Sequence, residues 1–450
     1  MMRWALLAFI LTSCGTSGTI GFWLTNKDKS ALLARQEPLQ WGASPAGVAV
    51  VVDSATKYQT IDGFGFALTG GSAWLINHLS PDSRSTLLHG LFGSDSSGIG
   101  VSYLRVSIGA SDLSTSVYSY DDQADPGLAH FNLMAGDTDV VPVLKQILAL
   151  DPNIKILGSP WSAPTWMKSN HSTIGGNLLP QYYEVYANYL VKYVQAMHDQ
   201  GITIDALTPQ NEPMYGGNNP SMLVTAPEED SFVRLHLVPA LRAAGLATKV
   251  IVYDHNCDHP EYPMSILKDD SLVDGSAFHL YAGDISALTT VHDAYPQKNL
   301  YFTEIYTGSA SDFGGDLDWH MKNVVIGATR NYSRNVLEWN LASDPNYNPH
   351  TPGGCNTCKG AVTIAPGNAI TFNVSYYIIA HASRFVPAGS VRIASGGPAS
   401  LPQVAFLRPD GKKVLIVEND NNSTQAFNIE YGGQRAVATL NAGAVGTFIW

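Results

Sequence analysis

Charge is scarce in this chain. Only 14% of its 450 residues are Asp, Glu, Lys or Arg, against about 25% in an average soluble domain. Basic residues are fewer still, 26 against 38 acidic, giving a net charge of −12. Phosphate binding needs a basic stripe and none is visible, which argues against a nucleic-acid partner. No long apolar run follows residue 24, which argues against a polytopic membrane protein. The sequence has no HExxH, no P-loop and no GxGxxG opening a βα unit, so no metal or cofactor is expected. Intrinsic disorder is excluded by a hydrophobic content of 45%.

Cysteine is also rare, with four residues. Cys14 follows Arg3, the apolar run Trp4 to Leu11, and Thr12-Ser13. That order is the order of a secretory signal. It also resembles a bacterial lipoprotein box, in which Cys14 becomes the lipidated first residue. An ordinary signal peptide and an uncleaved anchor are the other readings. All three place the catalytic part outside the cytoplasm, secreted or lipid-anchored, with membrane attachment through the N-terminus only. Residues 1–13 read as the signal and 14–40 as a tether. Cys355 and Cys358 are three apart and suit a small disulfide loop in an oxidising compartment. The rival is half a zinc site, but no second Cys or His pair stands at ligand spacing. Cys257 then remains free.

Aromatics are plentiful: 9 Trp, 21 Tyr and 15 Phe. Many aromatics with few charges suit a polar, uncharged ligand such as a sugar. Between residues 58 and 384, eight apolar strand-like runs alternate with helical stretches. They are Ile61 to Leu68, Tyr103 to Ile108, Ile154 to Ser159, Ala206 to Gln210, Lys249 to Tyr253, Ala277 to Tyr281, Leu300 to Thr303 and Asn335 to Trp339. The helical periodicity is clearest over Tyr183 to His198, and weaker over Val140 to Leu150 and Phe232 to Ala244. This is the arithmetic of a (β/α)8 TIM barrel. Most runs end in residues capable of chemistry, where such barrels carry their active sites. Residues 385–450 change character to short alternating strands separated by turn signals such as Pro409-Asp410-Gly411-Lys412. They predict an appended antiparallel β-sandwich, to which residues 41–57 add strands from the other chain end.

Glu212 ends the fourth run, in Asn211-Glu212-Pro213, and Glu304 ends the seventh, in Phe302-Thr303-Glu304. Strands four and seven lie on roughly opposite sides of a barrel, so both carboxyls can point into one cleft. Cleavage of a glycosidic bond uses such a pair. One carboxylic acid protonates the leaving oxygen and the other attacks the anomeric carbon or activates water. Glu212 as the acid needs a raised pKa. Tyr281 can donate to Glu304 and hold it ionised.

The ordered set of these motifs resembles glycoside hydrolase family 30, the glucosylceramidase and β-1,6-glucanase family. Gln59-Thr60-Ile61-Asp62-Gly63-Phe64-Gly65, Leu104 to Asp112, Ser159 to Lys168, Asn211-Glu212-Pro213, Phe278-His279-Leu280-Tyr281, Phe302-Thr303-Glu304, Leu337 to Asn340 and His381 to Ser390 carry the resemblance. It implies Glu212 as acid/base and Glu304 as nucleophile of a retaining enzyme. It implies Asn211, Trp161, Tyr281, Trp339, Asp112 and His279 around the sugar, with Arg105 supporting the carboxylates. His279 has a second reading, as a strand-end histidine that orients a loop. The glucosylceramidase branch has an acidic residue after the Thr of the first motif, where this chain has Gly70. The main expectation is a glucosylceramidase-like β-glucosidase, with an endo-β-1,6-glucanase as the alternative. A non-catalytic carbohydrate-binding protein on a hydrolase scaffold is a further one. The expected partner is a β-glucoside or β-glucan.

Overall fold

The computed structural model describes residues 18–44, 47–95, 97–268 and 272–450. Cys14 and the signal expected over residues 1–13 lie outside the described residues. Among those described, eight parallel strands close a barrel. In chain order they are Gly63–Leu68, Tyr103–Ile108, Lys155–Pro160, Ala206–Leu207, Lys249–Cys257, Gly275–Gly283, Asn299–Glu304 and Ser333–Asn340. All eight expected runs are present. The fourth is shorter than expected, because Pro209 has no N–H for the ladder. The weak helix over Phe232 to Ala244 is part of a longer kinked one. A helix Ala226–Phe232 passes through a π turn at Val233–Leu237 into Val238–Ala243. The wider turn falls just before Pro239, whose missing N–H breaks the α-helical pattern.

Side chains alternate along each strand. Tyr103, Leu157, Ala206, Ile251, Ala277, Tyr301 and Leu337 point inward and fill the barrel as one apolar layer. Leu104, Val106, Ile156, Val250, Val252, Phe278 and Phe302 point outward into the helix-covered core. Two residues above the inner layer, the same inward rows carry Arg105, Ser159, Thr208 and His279. An apolar plug thus supports a polar floor at the C-terminal mouth.

A second sheet of nine strands lies beside the barrel. Its order is Ala34–Gln40, Thr19–Thr25, Val445–Ile449, Lys413–Glu418, Gln403–Leu407, Val391–Gly396, Ala49–Thr60, Gln425–Tyr431 and Gln434–Leu440. It is the expected β-sandwich, built from both chain ends around its own apolar core. The expected tether needs correction. Thr19–Thr25 and Ala34–Gln40 form an antiparallel pair, and the first also pairs with the last strand of the chain. Ile20 and Phe22 are buried, and Phe22 stacks on Phe448 at 4.7 Å. The alternation was masked by the neighbouring apolar run. Ala34–Gln40 is an edge strand with no buried residue, which accounts for its polar composition. Gln434–Leu440 is a strand that the sequence reading did not include; its inward residues are Ala436, Ala438 and Leu440.

The two sheets share a seam. In Lys413–Glu418, Val414 and Ile416 pack into the barrel core while Leu415 and Val417 pack into the sandwich core. His381, on the helix Val374–Ser383, reaches across to Thr447 Oγ1 and Thr25 Oγ1, both at 2.8 Å. Burial pushes His381 down to about 3, so it is neutral.

Candidate active site

The polar floor is organised by one buried cation. Arg105 is fully buried. Its Nη1 donates to Glu304 Oε2, and its Nη2 donates to Asn211 Oδ1 at 2.6 Å and to Asp254 Oδ2 at 2.8 Å. A buried guanidinium is tolerated only when its fork is paired this fully. Asp254, also fully buried, accepts further bonds from Ser159 Oγ (3.0 Å), Thr208 Oγ1 (2.7 Å) and Thr303 Oγ1 (2.7 Å), and contacts His279 Nε2 at 3.1 Å. Burial alone would raise Asp254, but Arg105, His279 and Thr303 outweigh it and hold the carboxyl far below its usual range.

Glu212 and Glu304 stand on this floor. The fourth strand stops after Leu207, and Pro209 and Pro213 bracket the segment that carries Glu212. Asn211 N–H donates to Pro160 O at 2.8 Å, and Glu212 N–H to Asp254 O at 3.0 Å. Glu212 and Asp254 both adopt left-handed backbone, with φ of 46° and 53°. Such strain persists where surrounding contacts fix it, and it concentrates at functional sites. The ligating atoms of Glu212, His279 and Glu304 all lie within 4.8 Å of one another. Carboxyl groups about 5–5.5 Å apart suit a retaining glycosidase, whereas inversion needs about 6.5–9.5 Å. The same spacing would suit a metal ion, but a cation there would face the Arg105 guanidinium beside Glu304.

Tyr281 OH donates to Glu304 Oε1 at 2.9 Å, as expected. His279 Nδ1 lies 3.4 Å from Glu212 Oε1 and 4.0 Å from Glu304 Oε1. His279 is fully buried and does not line the cavity. It therefore touches the carboxylates rather than a sugar, which favours the orienting reading over substrate contact. Burial tends to lower His279, yet Glu304, Asp254 and Glu212 raise it to about 9. The expectation that Glu212 is raised is not met in this state. Burial does push it up, but the hydrogen bond and charge of His279, with Arg105, hold it down. Burial pushes Glu304 up, against His279 and Arg105. His279 is thus favoured as a cation, one contact away from Glu212.

Above the carboxylates opens a cavity of about 470 Å³, lined by Asp112, Trp161, Glu212, Tyr281, Glu304 and Trp339. Trp161 and Trp339 stack at 5.3 Å with Arg105 against both rings. Asn211 is buried behind them, its carbonyl side turned to Arg105. Asp112 is raised to about 7, chiefly by burial, then by the charges of Glu304 and Glu212. Its Oδ2 accepts from Cys355 N–H at 3.2 Å. Cys355 and Cys358 form the expected disulfide, and both border the cavity. Cys257 is free and buried. Gly70 opens the helix Gly70–Asn77, and a side chain there would begin 3.0 Å from Ser114 Oγ. Packing thus matches the missing acidic group. Glu338, beside Trp339 in sequence, points away from the cleft to His320 at 2.7 Å.

Several cavity residues had no sequence signal. Asn218 Nδ2 donates to Glu212 Oε2 at 3.2 Å. Met214 and Tyr215, on the loop after Glu212, are 43% and 51% exposed at the rim. Asp254 and His255 were visible as polar residues at a strand end, but nothing in the sequence tied them to Arg105 or Glu212. Burial pushes His255 down to about 4, so it is neutral.

Residues 61–386 match the glycosyl hydrolase family 30 TIM-barrel domain, and 389–448 match the family 30 beta sandwich domain. Endo-1,6-beta-D-glucanase BGN16.3 of Trichoderma harzianum is 37% identical over 412 residues, covering 85% of this chain and 81% of the relative. Lysosomal acid glucosylceramidase of Mus musculus is 28% identical over 449 residues, covering 92% and 85%. The solved structure of the endo-beta1,6-glucanase BT3312 superposes with a TM-score of 0.90 at 34% identity, covering 96% of this chain and all of that one. With a buried carboxylate pair at the barrel mouth and family matches over both domains, the chain belongs to glycoside hydrolase family 30 and is a glycoside hydrolase.

Proposed function

We propose that this enzyme is a retaining endo-β-1,6-glucanase, with Glu304 as nucleophile and Glu212 as acid/base. The observation that carries the mechanism is the close approach of the two carboxylates, one oxygen of Glu212 lying within 4.8 Å of one oxygen of Glu304. Glu304 attacks the anomeric carbon as the glycosidic C–O bond breaks, and the leaving oxygen takes a proton from Glu212. A glycosyl-enzyme on Glu304 results. Glu212 then takes a proton from water, which attacks the same carbon and releases Glu304. His279 loads the acid. With Nε2 turned to Asp254, its Nδ1 proton can pass along the 3.4 Å contact to Glu212 Oε1. The pair titrates as a unit. Trp161 and Trp339 offer the stacking surface, and Asp112 and Tyr281 the polar groups, for the sugar being cleaved.

Three observations favour glucanase over glucosylceramidase action. Endo-1,6-β-glucanases match at 35–37% identity, glucosylceramidases at 28–31%. Gly70 also lacks the acidic side chain of the glucosylceramidase branch, and exposed Tyr215 on the rim offers a face for a further sugar unit. The disulfide supports an extracytoplasmic location.

The test incubates the enzyme and its Glu304→Gln variant with a β-1,6-glucan and with an aryl β-glucoside, and sizes the products. A ladder of oligosaccharides from the glucan, absent with the variant, is expected. Monosaccharide release from the aryl glucoside alone would instead assign a glucosylceramidase-like exo enzyme. No cleavage of either, or a variant equal to the parent, would remove the two-glutamate mechanism.

A further inference from the structure

Away from the catalytic mouth, three carboxylates meet at the seam between barrel and sandwich. Asp318 lies on the helix Phe313–His320, which follows the Glu304 strand. Glu418 ends the sandwich strand Lys413–Glu418, and Asp420 is two residues beyond. Their ligating oxygens lie within 4.8 Å of one another. An ion about 2.4 Å from each of two ligands spans about that distance, and 2.3–2.6 Å is the calcium–oxygen range.

An acidic cluster alone is common on protein surfaces, but Glu418 is not on the surface. It is fully buried, and among the described residues no N–H or hydroxyl donates to either carboxylate oxygen, whose side-chain contact is the Asp318 carboxyl. Its neighbours in the cluster are acceptors as well. Burying an uncompensated carboxylate is costly, so such a group calls for a proton or a cation. Among the described residues the counter-charge beside the cluster is Lys322, which spends its contact on Asp420 Oδ2 at 2.5 Å. Three carboxylates and one ammonium leave two negative charges, which a divalent ion neutralises. The surroundings are rigid. Asn419 Nδ2 donates to the carbonyls of Ser423, Leu440 and Asn441 at 2.9–3.0 Å, and Asp420 N–H donates to Ser400 O at 3.0 Å. Oxygen-only ligands on a fixed loop suit a hard cation.

We propose that Asp318, Glu418 and Asp420 bind a calcium ion that joins the catalytic barrel to the β-sandwich.

The test strips the purified full-length enzyme with chelator and titrates calcium chloride by calorimetry. One equivalent should bind. Thermal unfolding at calcium a hundredfold above Kd should rise by about 3 °C for a chain of this length. Glu418→Gln, which mimics the protonated carboxyl and keeps its shape, should abolish the heat and the shift. Asp420→Asn, at a half-buried position, should weaken binding about tenfold or more. Both variants should cleave substrate as the parent does, which separates this site from Glu212, His279 and Glu304. Absence of calcium heat and of a thermal shift in the parent would overturn the proposal. So would a calcium response that survives in both variants. A Glu418→Gln midpoint above the parent's, equal with and without calcium, would identify the occupant as a proton.

Discussion

His279 should make the stability of this enzyme depend on alkaline pH in a way that one substitution removes. In the folded protein it lies between Asp254 at 3.1 Å and Glu212 at 3.4 Å, and its value stands at about 9 against an ordinary 6.5. A group raised on folding stabilises fully below its unfolded value, and that contribution fades as pH rises through the folded one. The window is therefore about pH 6.5 to 9. At about 1.4 kcal/mol per pH unit, the rise corresponds to about 3 kcal/mol. The side chain is fully buried, so solvent screens little of it. Urea unfolding of the parent and of His279→Gln would be measured at pH 6, 7.5 and 9.5. Other buried groups, such as Asp137 and Glu229 at about 7, titrate in both proteins and largely cancel in the difference. The gap between parent and variant should shrink by about 3 kcal/mol across the series. A gap that stays constant, or widens with pH, would show that His279 is neutral in the folded state and would remove it as the proton store for Glu212.

Glu212→Gln should lose activity on glucan by about a thousandfold or more, yet keep much of the first step on an aryl glucoside whose leaving group needs no proton. A burst of aryl product followed by slow turnover would show it. Arg105→Met removes the buried partner of Glu304 and Asp254, and should cost roughly 3–5 kcal/mol by denaturant unfolding. Reducing the Cys355–Cys358 bond should release the backbone that holds Asp112, raising KM more than it lowers kcat. The accompanying loss of stability should be about 2 kcal/mol for so short a loop, and a Cys355→Ser, Cys358→Ser double variant should be indifferent to reductant.

The barrel was legible because its strands are apolar runs that end in polar residues. Tyr103–Ile108 has the bounds that the sequence implies. The glutamate pair was legible for the same reason, since each closes such a run. Asp254 was not, because its partners Arg105, Ser159, His279 and Thr303 come from four other strands and Thr208 from just beyond a fifth. Only closure of the barrel brings them together. The first two sandwich strands were hidden differently. Ile20 and Phe22 sit against a run of apolar residues that reads as a leader, and Ala34–Gln40 is polar because it is an edge. Gln434–Leu440 packs mostly alanine inward, a weak signal by composition. The lowered Glu212 could not be foreseen from its own segment, since it depends on where His279 settles.

The strand Lys413–Glu418 turns alternate side chains into two different cores. The sandwich is for that reason a wall of the catalytic domain and not a detachable accessory. A barrel cut free after Pro387 would bare the apolar surface that Val404, Phe406, Val414, Ile416 and Val445 now cover, and should aggregate before it could be assayed. Grafting the sandwich of one family member onto the barrel of another would need both faces of this strand to be matched at once. Exchange of substrate specificity between relatives is better sought in the loops around the cavity, where Tyr215 and the Cys355–Cys358 turn lie outside the set of residues that form the seam.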